Sequence, residues 1–167
     1  MAETEKGTRL KRYVPLLVLI AVALSVAGAK QIAYGDGASF RTAMHDFMGI
    51  FLAVFAMLKL FDLPGFAKGF QRYDLLAQRS RPYALTYPFI ELALALGYLS
   101  MWRPPIVYGV TIVVMGFGAI GVVTALKKGM SVNCACMGTS LNVPLSTVAI
   151  VEDVGMAVMA AAMLILA

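Results

Sequence analysis

At 167 residues the chain could form one ordinary domain, but 60% of it is apolar, only 14% is charged and its mean hydropathy is +0.82. A water-soluble core of that size cannot hide so many apolar side chains, which excludes a soluble globular fold in favour of a bilayer. The net charge of +5 does not point to nucleic acid, because the basic residues cluster between apolar runs, and two cysteines are too few for a disulfide scaffold.

A helix needs about 20 apolar residues to cross roughly 30 Å of hydrocarbon. Five runs of about that length are predicted as spans, at 13–33, 44–61, 84–101, 105–126 and 145–167. The first follows Lys11 and Arg12 and ends in Ala27-Gly28-Ala29, a pattern that signal peptidase could accept. It is long for a signal segment and is expected to stay as a span, preceded by a cytoplasmic tail at 1–12. The second span is expected to open at His45-Asp46, with Asp46 favoured at a helix N-terminus and His45 a capping or interfacial residue rather than a ligand.

Between the second and third spans, residues 64–81 are too polar to cross. Phe66, Phe70, Tyr73, Leu76 and Ala77 recur at helical spacing opposite Lys68, Arg72 and Arg79, which predicts an amphipathic helix lying in the headgroups. Trp102-Arg103-Pro104-Pro105 marks a tight turn with Trp102 at the interface, and the methionines are read as packing. Cytoplasmic loops carry the excess of Lys and Arg. An N-in arrangement of five spans places eleven of the fourteen inside, leaving Lys30, Arg41 and Arg103 outside. The loop 127–143 then faces the cytoplasm.

That loop holds Asn133-Cys134-Ala135-Cys136-Met137-Gly138. A disulfide across one intervening residue closes a small strained ring and is easily reduced, which suits it to thiol exchange, and Lys127 and Lys128 favour the thiolate that exchange requires. The same two sulfurs, with the Met137 thioether, could instead pass on a soft ion such as Cu(I), Hg(II) or Zn(II). The plainest alternative is two inert, packed cysteines.

Ionisable residues inside a bilayer are costly and by default functional. Glu91 in the third span and Glu152 and Asp153 in the fifth lie about 10 Å from the cytoplasmic end, and Lys59 lies near that end of the second. All four share one half of the membrane with Cys134 and Cys136. A structural ion pair between Lys59 and a carboxylate such as Glu91 is one reading; a proton acceptor for thiol chemistry is the other.

The stretches Lys59-Leu-Phe-Asp62, Gly65-Phe66, Gln71-Arg72-Tyr73-Asp74, Tyr87-Pro88-Phe89-Ile90-Glu91, Cys134-Ala-Cys136-Met-Gly138, Val143-Pro144 and Glu152-Asp153, in this order, resemble the MauE/DoxX redox-associated membrane proteins over about residues 44–160. The resemblance implies a four-helix membrane core, here the second to fifth spans, with the 13–33 segment an addition. The fold class is therefore expected to be an all-α membrane protein: a four-helix transmembrane bundle, an extra N-terminal transmembrane helix and the interfacial helix, forming a single domain over 13–167.

It also implies a bacterial inner-membrane protein that supports disulfide chemistry or maturation of partner proteins, with a link to methylamine utilisation. The leading expectation is a thiol-disulfide oxidoreductase in which Cys134 and Cys136 cycle between dithiol and disulfide, Glu91, Glu152 or Asp153 accepts protons, and a quinone is a candidate electron acceptor. Its partners would be the lipid bilayer and a thiol-bearing protein. The rivals are a soft-metal carrier with a metal-carrying partner, Cys134 and Cys136 being its ligands, and an assembly scaffold.

Overall fold

The computed structural model describes the backbone of residues 2–129 and 145–166 and the side chains of 13–129 and 148–166. Cys134, Cys136 and the loop around them, and the side chains of the tail at 1–12, lie outside the described residues. Among the described residues six α-helices follow in order: α1 (Ala2–Tyr34), α2 (Phe40–Phe61), α3 (Leu63–Phe70), α4 (Arg81–Leu99), α5 (Pro104–Lys127) and α6 (Leu145–Ile165). There is no strand among the described residues.

By length and composition Tyr13–Gly37, Phe40–Phe61, Pro104–Lys127 and Val148–Ile165 can each cross a membrane. α4 is diluted by tyrosines, prolines and Glu91, yet its 19 residues reach about 28 Å. It runs antiparallel to α2, meeting it at Gly49 against Leu99 near one end and at Lys59 against Glu91 toward the other. The protein is an all-α, multi-pass membrane protein.

The helices pack as two close pairs, α2 with α4 and α5 with α6, while α1 leans on α2. α1 does so through Leu16, Leu19, Ala23 and Ala27, a stripe at helical spacing; its other faces leave Leu17, Val18, Val22 and Leu24 exposed to the lipid. Small residues set the seams, as expected where hydrophobicity cannot drive helices together. A Cβ on Gly118 of α5 would lie 2.7 Å from Asp153 Oδ2 of α6. At the turn from α4 to α5 the chain reverses through Met101 and Arg103, both at positive φ.

α2 starts earlier than the sequence suggested. Ser39, not His45, is its N-cap: the Ser39 side chain accepts from the Thr42 N–H while the Thr42 hydroxyl accepts from the Ser39 N–H. This moves His45 and Asp46 more than a turn into the helix, where both are buried.

The amphipathic segment is also shorter than periodicity alone predicts. α3 is capped by Asp62, whose carboxylate accepts from Gly65 N–H at 3.0 Å, and ends at Phe70; turns carry the chain to Ser80, the N-cap of α4. Phe66, Phe70, Tyr73 and Ala77 face inward and not into the headgroups: Phe70 lies 4.6 Å from Tyr87 between ring centroids. The 71–80 turn is docked on α5, where a Cβ on Gly121 would come within 3.0 Å of the Tyr73 carbonyl oxygen.

Asp74 shapes this turn by accepting from Leu76 N–H at 2.9 Å and Ala77 N–H at 2.8 Å. Burial pushes its carboxyl above the ordinary value of 3.8, and the two N–H bonds only partly offset that. The folded state therefore holds the proton to higher pH than the unfolded chain, so this contribution to stability is present below the ordinary value and is lost as pH rises through the raised one. Asp74→Asn keeps an acceptor oxygen for both N–H groups without the charge. Thermal unfolding across pH should show the variant more stable than wild type near neutrality and equal to it below about pH 4. A wild-type advantage at neutral pH would mean that the carboxylate's hydrogen bonds outweigh its burial.

Candidate functional site: a buried lysine between two carboxylates

The antiparallel arrangement sends the end of α2, the start of α4, the end of α5 and the start of α6 to one end of the bundle, together with α3. Lys59 is in the last turn of α2, Glu91 is about 15 Å into α4 and Glu152 about 10 Å into α6. Their side chains converge. Lys59 Nζ donates to both carboxylate oxygens of Glu91 at 2.7 Å and to Glu152 Oε1 at 2.5 Å. The side chains of Lys59, Glu91 and Glu152 are 2%, 0% and 1% exposed, so the charges compensate each other out of reach of water.

Aromatic rings complete the shell of the ammonium. Phe55, Phe66 and Tyr87 present their rings at 5.6, 5.8 and 5.4 Å from Nζ, and the negative ring faces favour the cation. Lys59 thus ties the α2–α4 pair to α6 of the other pair. Asp153, also buried, lies in the α5–α6 seam, its carboxylate filling the room left by Gly118. Of the residues singled out by sequence, Lys59, Glu91 and Glu152 meet, Asp153 is their neighbour along α6, and Cys134 and Cys136 lie outside the described residues. Among the described residues no group of three His, Cys, Asp or Glu side chains is arranged to hold a metal ion.

A family model described as methylamine utilisation protein MauE matches residues 37–166. The chain belongs to the MauE family. The match covers α2 to α6 and leaves α1 outside, in keeping with α1 as a helix added to the edge of the core. No curated protein and no solved structure matches this MauE-family chain.

A second polar centre occupies the opposite end of the MauE core. His45 Nδ1 lies 3.1 Å from the Tyr98 carbonyl oxygen, which can only accept, so Nδ1 carries a hydrogen; Nε2 pairs with the Tyr108 hydroxyl. The Tyr98 hydroxyl continues to Thr111 Oγ1 at 3.0 Å, and Thr111 donates to the Val107 carbonyl oxygen at 2.8 Å. Lys30 of α1 pairs with Asp46 beside this network. Sequence reasoning missed it, because its members come from three helices, α2, α4 and α5, and no spacing links them; the signal was a polar pair, His45-Asp46, set in an apolar run.

Proposed function

We propose that this MauE-family protein is a membrane thiol-redox protein of the bacterial inner membrane, in which Cys134 and Cys136 cycle between dithiol and disulfide in support of partner-protein maturation. The observation that carries the reading is the Lys59–Glu91–Glu152 triad, which lies at the end of the bundle where the cysteine-bearing connection joins α5 to α6. Lys68, Arg72, Arg79, Arg81, Lys127 and Lys128 are at that same end, and their number supports its assignment to the cytoplasmic side.

Thiol exchange on a partner disulfide proceeds in two displacements. One cysteine thiolate attacks a partner sulfur, forming a mixed disulfide and expelling the other partner sulfur as thiolate. The second cysteine then attacks the first, closing Cys134–Cys136 and releasing the remaining partner sulfur. Two electrons pass to the partner, and the two protons given up by the cysteines end on the partner's thiols or on an acceptor. Run backwards, the same steps oxidise a partner dithiol.

The triad supplies an acceptor. Among the described residues the ammonium bonds two carboxylates in an apolar setting, so the cluster offers a carboxylate that can take up or return a proton. Glu152 is the acceptor of choice, because it is on the helix that follows the cysteine segment and makes a single bond to Lys59, whereas Glu91 engages it with both oxygens.

The test is the rate of exchange between the reduced, reconstituted protein and a small aromatic disulfide, followed against pH. Cys134→Ala/Cys136→Ala should abolish exchange, and Glu152→Gln should slow it about a hundredfold and flatten its pH profile. Exchange that survives loss of both cysteines sinks the redox reading; an unchanged pH profile in Glu152→Gln removes the triad from it.

A further inference from the structure

Among the described residues, the basic side chains around α3 have no acidic partners. Lys68, Arg72, Arg79 and Arg81 form no ion pair with any described residue. The two carboxylates of the same segment are engaged elsewhere, Asp62 on the Gly65 N–H and Asp74 on the Leu76 and Ala77 N–H groups. Two of the four cations border a recess of about 360 Å³ whose walls are Pro64, Gly65, Lys68, Gln71 and Arg81. Lys68 and Arg81 reach it from opposite sides of the 71–80 turn, and Gln71 adds an amide that can donate to an oxygen.

The same stretch of chain, from the end of α2 through the 71–80 turn, also exposes apolar side chains. Phe61 is 77% exposed, and Leu75 and Leu76 are exposed as well. Cations unpaired among the described residues, on a segment of a membrane protein that also exposes apolar side chains, match a molecule with an anionic phosphodiester head and hydrocarbon tails better than free phosphate, which has no use for the apolar side chains.

We propose that Lys68, Gln71 and Arg81 form a binding site for the phosphate of an anionic phospholipid. The position gives the lipid something to act on. Pro64, Gly65 and Lys68 line the recess from the outer face of α3, while Phe66 on its inner face covers the Lys59 ammonium. A lipid bridging Lys68 to Arg81 holds α3 against the start of α4 and keeps that cover in place. The site is independent of the thiol chemistry proposed above and stands or falls separately.

The test counts lipids retained by the full-length protein, released from bilayers of mixed phosphatidylglycerol and phosphatidylcholine, by native mass spectrometry. Wild type should retain phosphatidylglycerol preferentially. Each basic residue near an anionic surface is worth about fivefold in enrichment, so Lys68→Ala/Arg81→Ala should lose roughly twentyfold or more. Lys68→Arg/Arg81→Lys, which conserves charge, should keep the preference and separates loss of the site from loss of the fold. Arg72→Ala/Arg79→Ala, outside the recess, should cost much less. Equal retention of the two lipids by wild type, an equal loss in the Arg72/Arg79 variant, or displacement of the lipid by inorganic phosphate alone would each overturn the assignment.

Discussion

Lys59→Met should destabilise the protein by about 3–5 kcal/mol, because it removes the ammonium and leaves Glu91 and Glu152 buried without a counter-charge. The apolar stem of methionine fills much of the same space, so the loss reports charge rather than volume. Thermal or denaturant unfolding in mild detergent measures it. In the triple variant Lys59→Met/Glu91→Leu/Glu152→Leu most of the stability should return, since well-packed apolar residues often equal or exceed a buried ion pair. That recovery would show the triad to be kept for something other than stability, which the thiol-exchange reading requires. A single variant as stable as wild type would mean that Lys59 does not hold the two helix pairs together.

The seam between α2 and α4 should be nearly as sensitive. A Cβ on Gly49 would lie 2.6 Å from Leu99 Cγ and 3.1 Å from the Ala95 carbonyl oxygen. The leucine can turn aside, but the carbonyl belongs to the α4 backbone and moves only with the helix. Gly49→Ala should therefore cost about 1–3 kcal/mol and Gly49→Leu more, by forcing apart the helices that the His45–Tyr98 bond also joins. Adding Leu99→Ala to Gly49→Ala should restore part of the loss. If the two substitutions are simply additive in thermal unfolding, the contact is not what limits the seam.

The hydropathy of this chain dictated its class without help from packing. Runs of apolar residues at about the length of a bilayer left no soluble alternative, and the described helices follow those runs with shifts of a few residues at their ends. The shifts trace to polar caps that the apolar pattern does not register: Ser39 starts α2 ahead of its apolar stretch, and Asp62 starts α3. Of the five residues that the amphipathic spacing of 64–81 assigned to an apolar face, Phe66, Phe70, Tyr73 and Ala77 are buried and Leu76 is exposed, because the helix ends at Phe70. The spacing could not say that the apolar face meets Tyr87 and α5 instead of lipid, since both are equally apolar surroundings.

By itself, then, the sequence determined that the chain is a helical membrane protein, which residues are too polar to lie in lipid unaccompanied, and that Cys134 and Cys136 sit in one connection, because solvent transfer and helix length depend on composition along the chain. Only the tertiary structure decided which of the buried charges meet. Lys59 is 32 residues from Glu91 and 93 from Glu152, so their bonds follow from the antiparallel pairing of α2 with α4 and the placement of α6, as does the enclosure of His45 by Tyr98 and Tyr108. Partner choice among buried polar groups depends on how helices cross and where glycines let them approach, and that is a property of the packed bundle, not of any one helix.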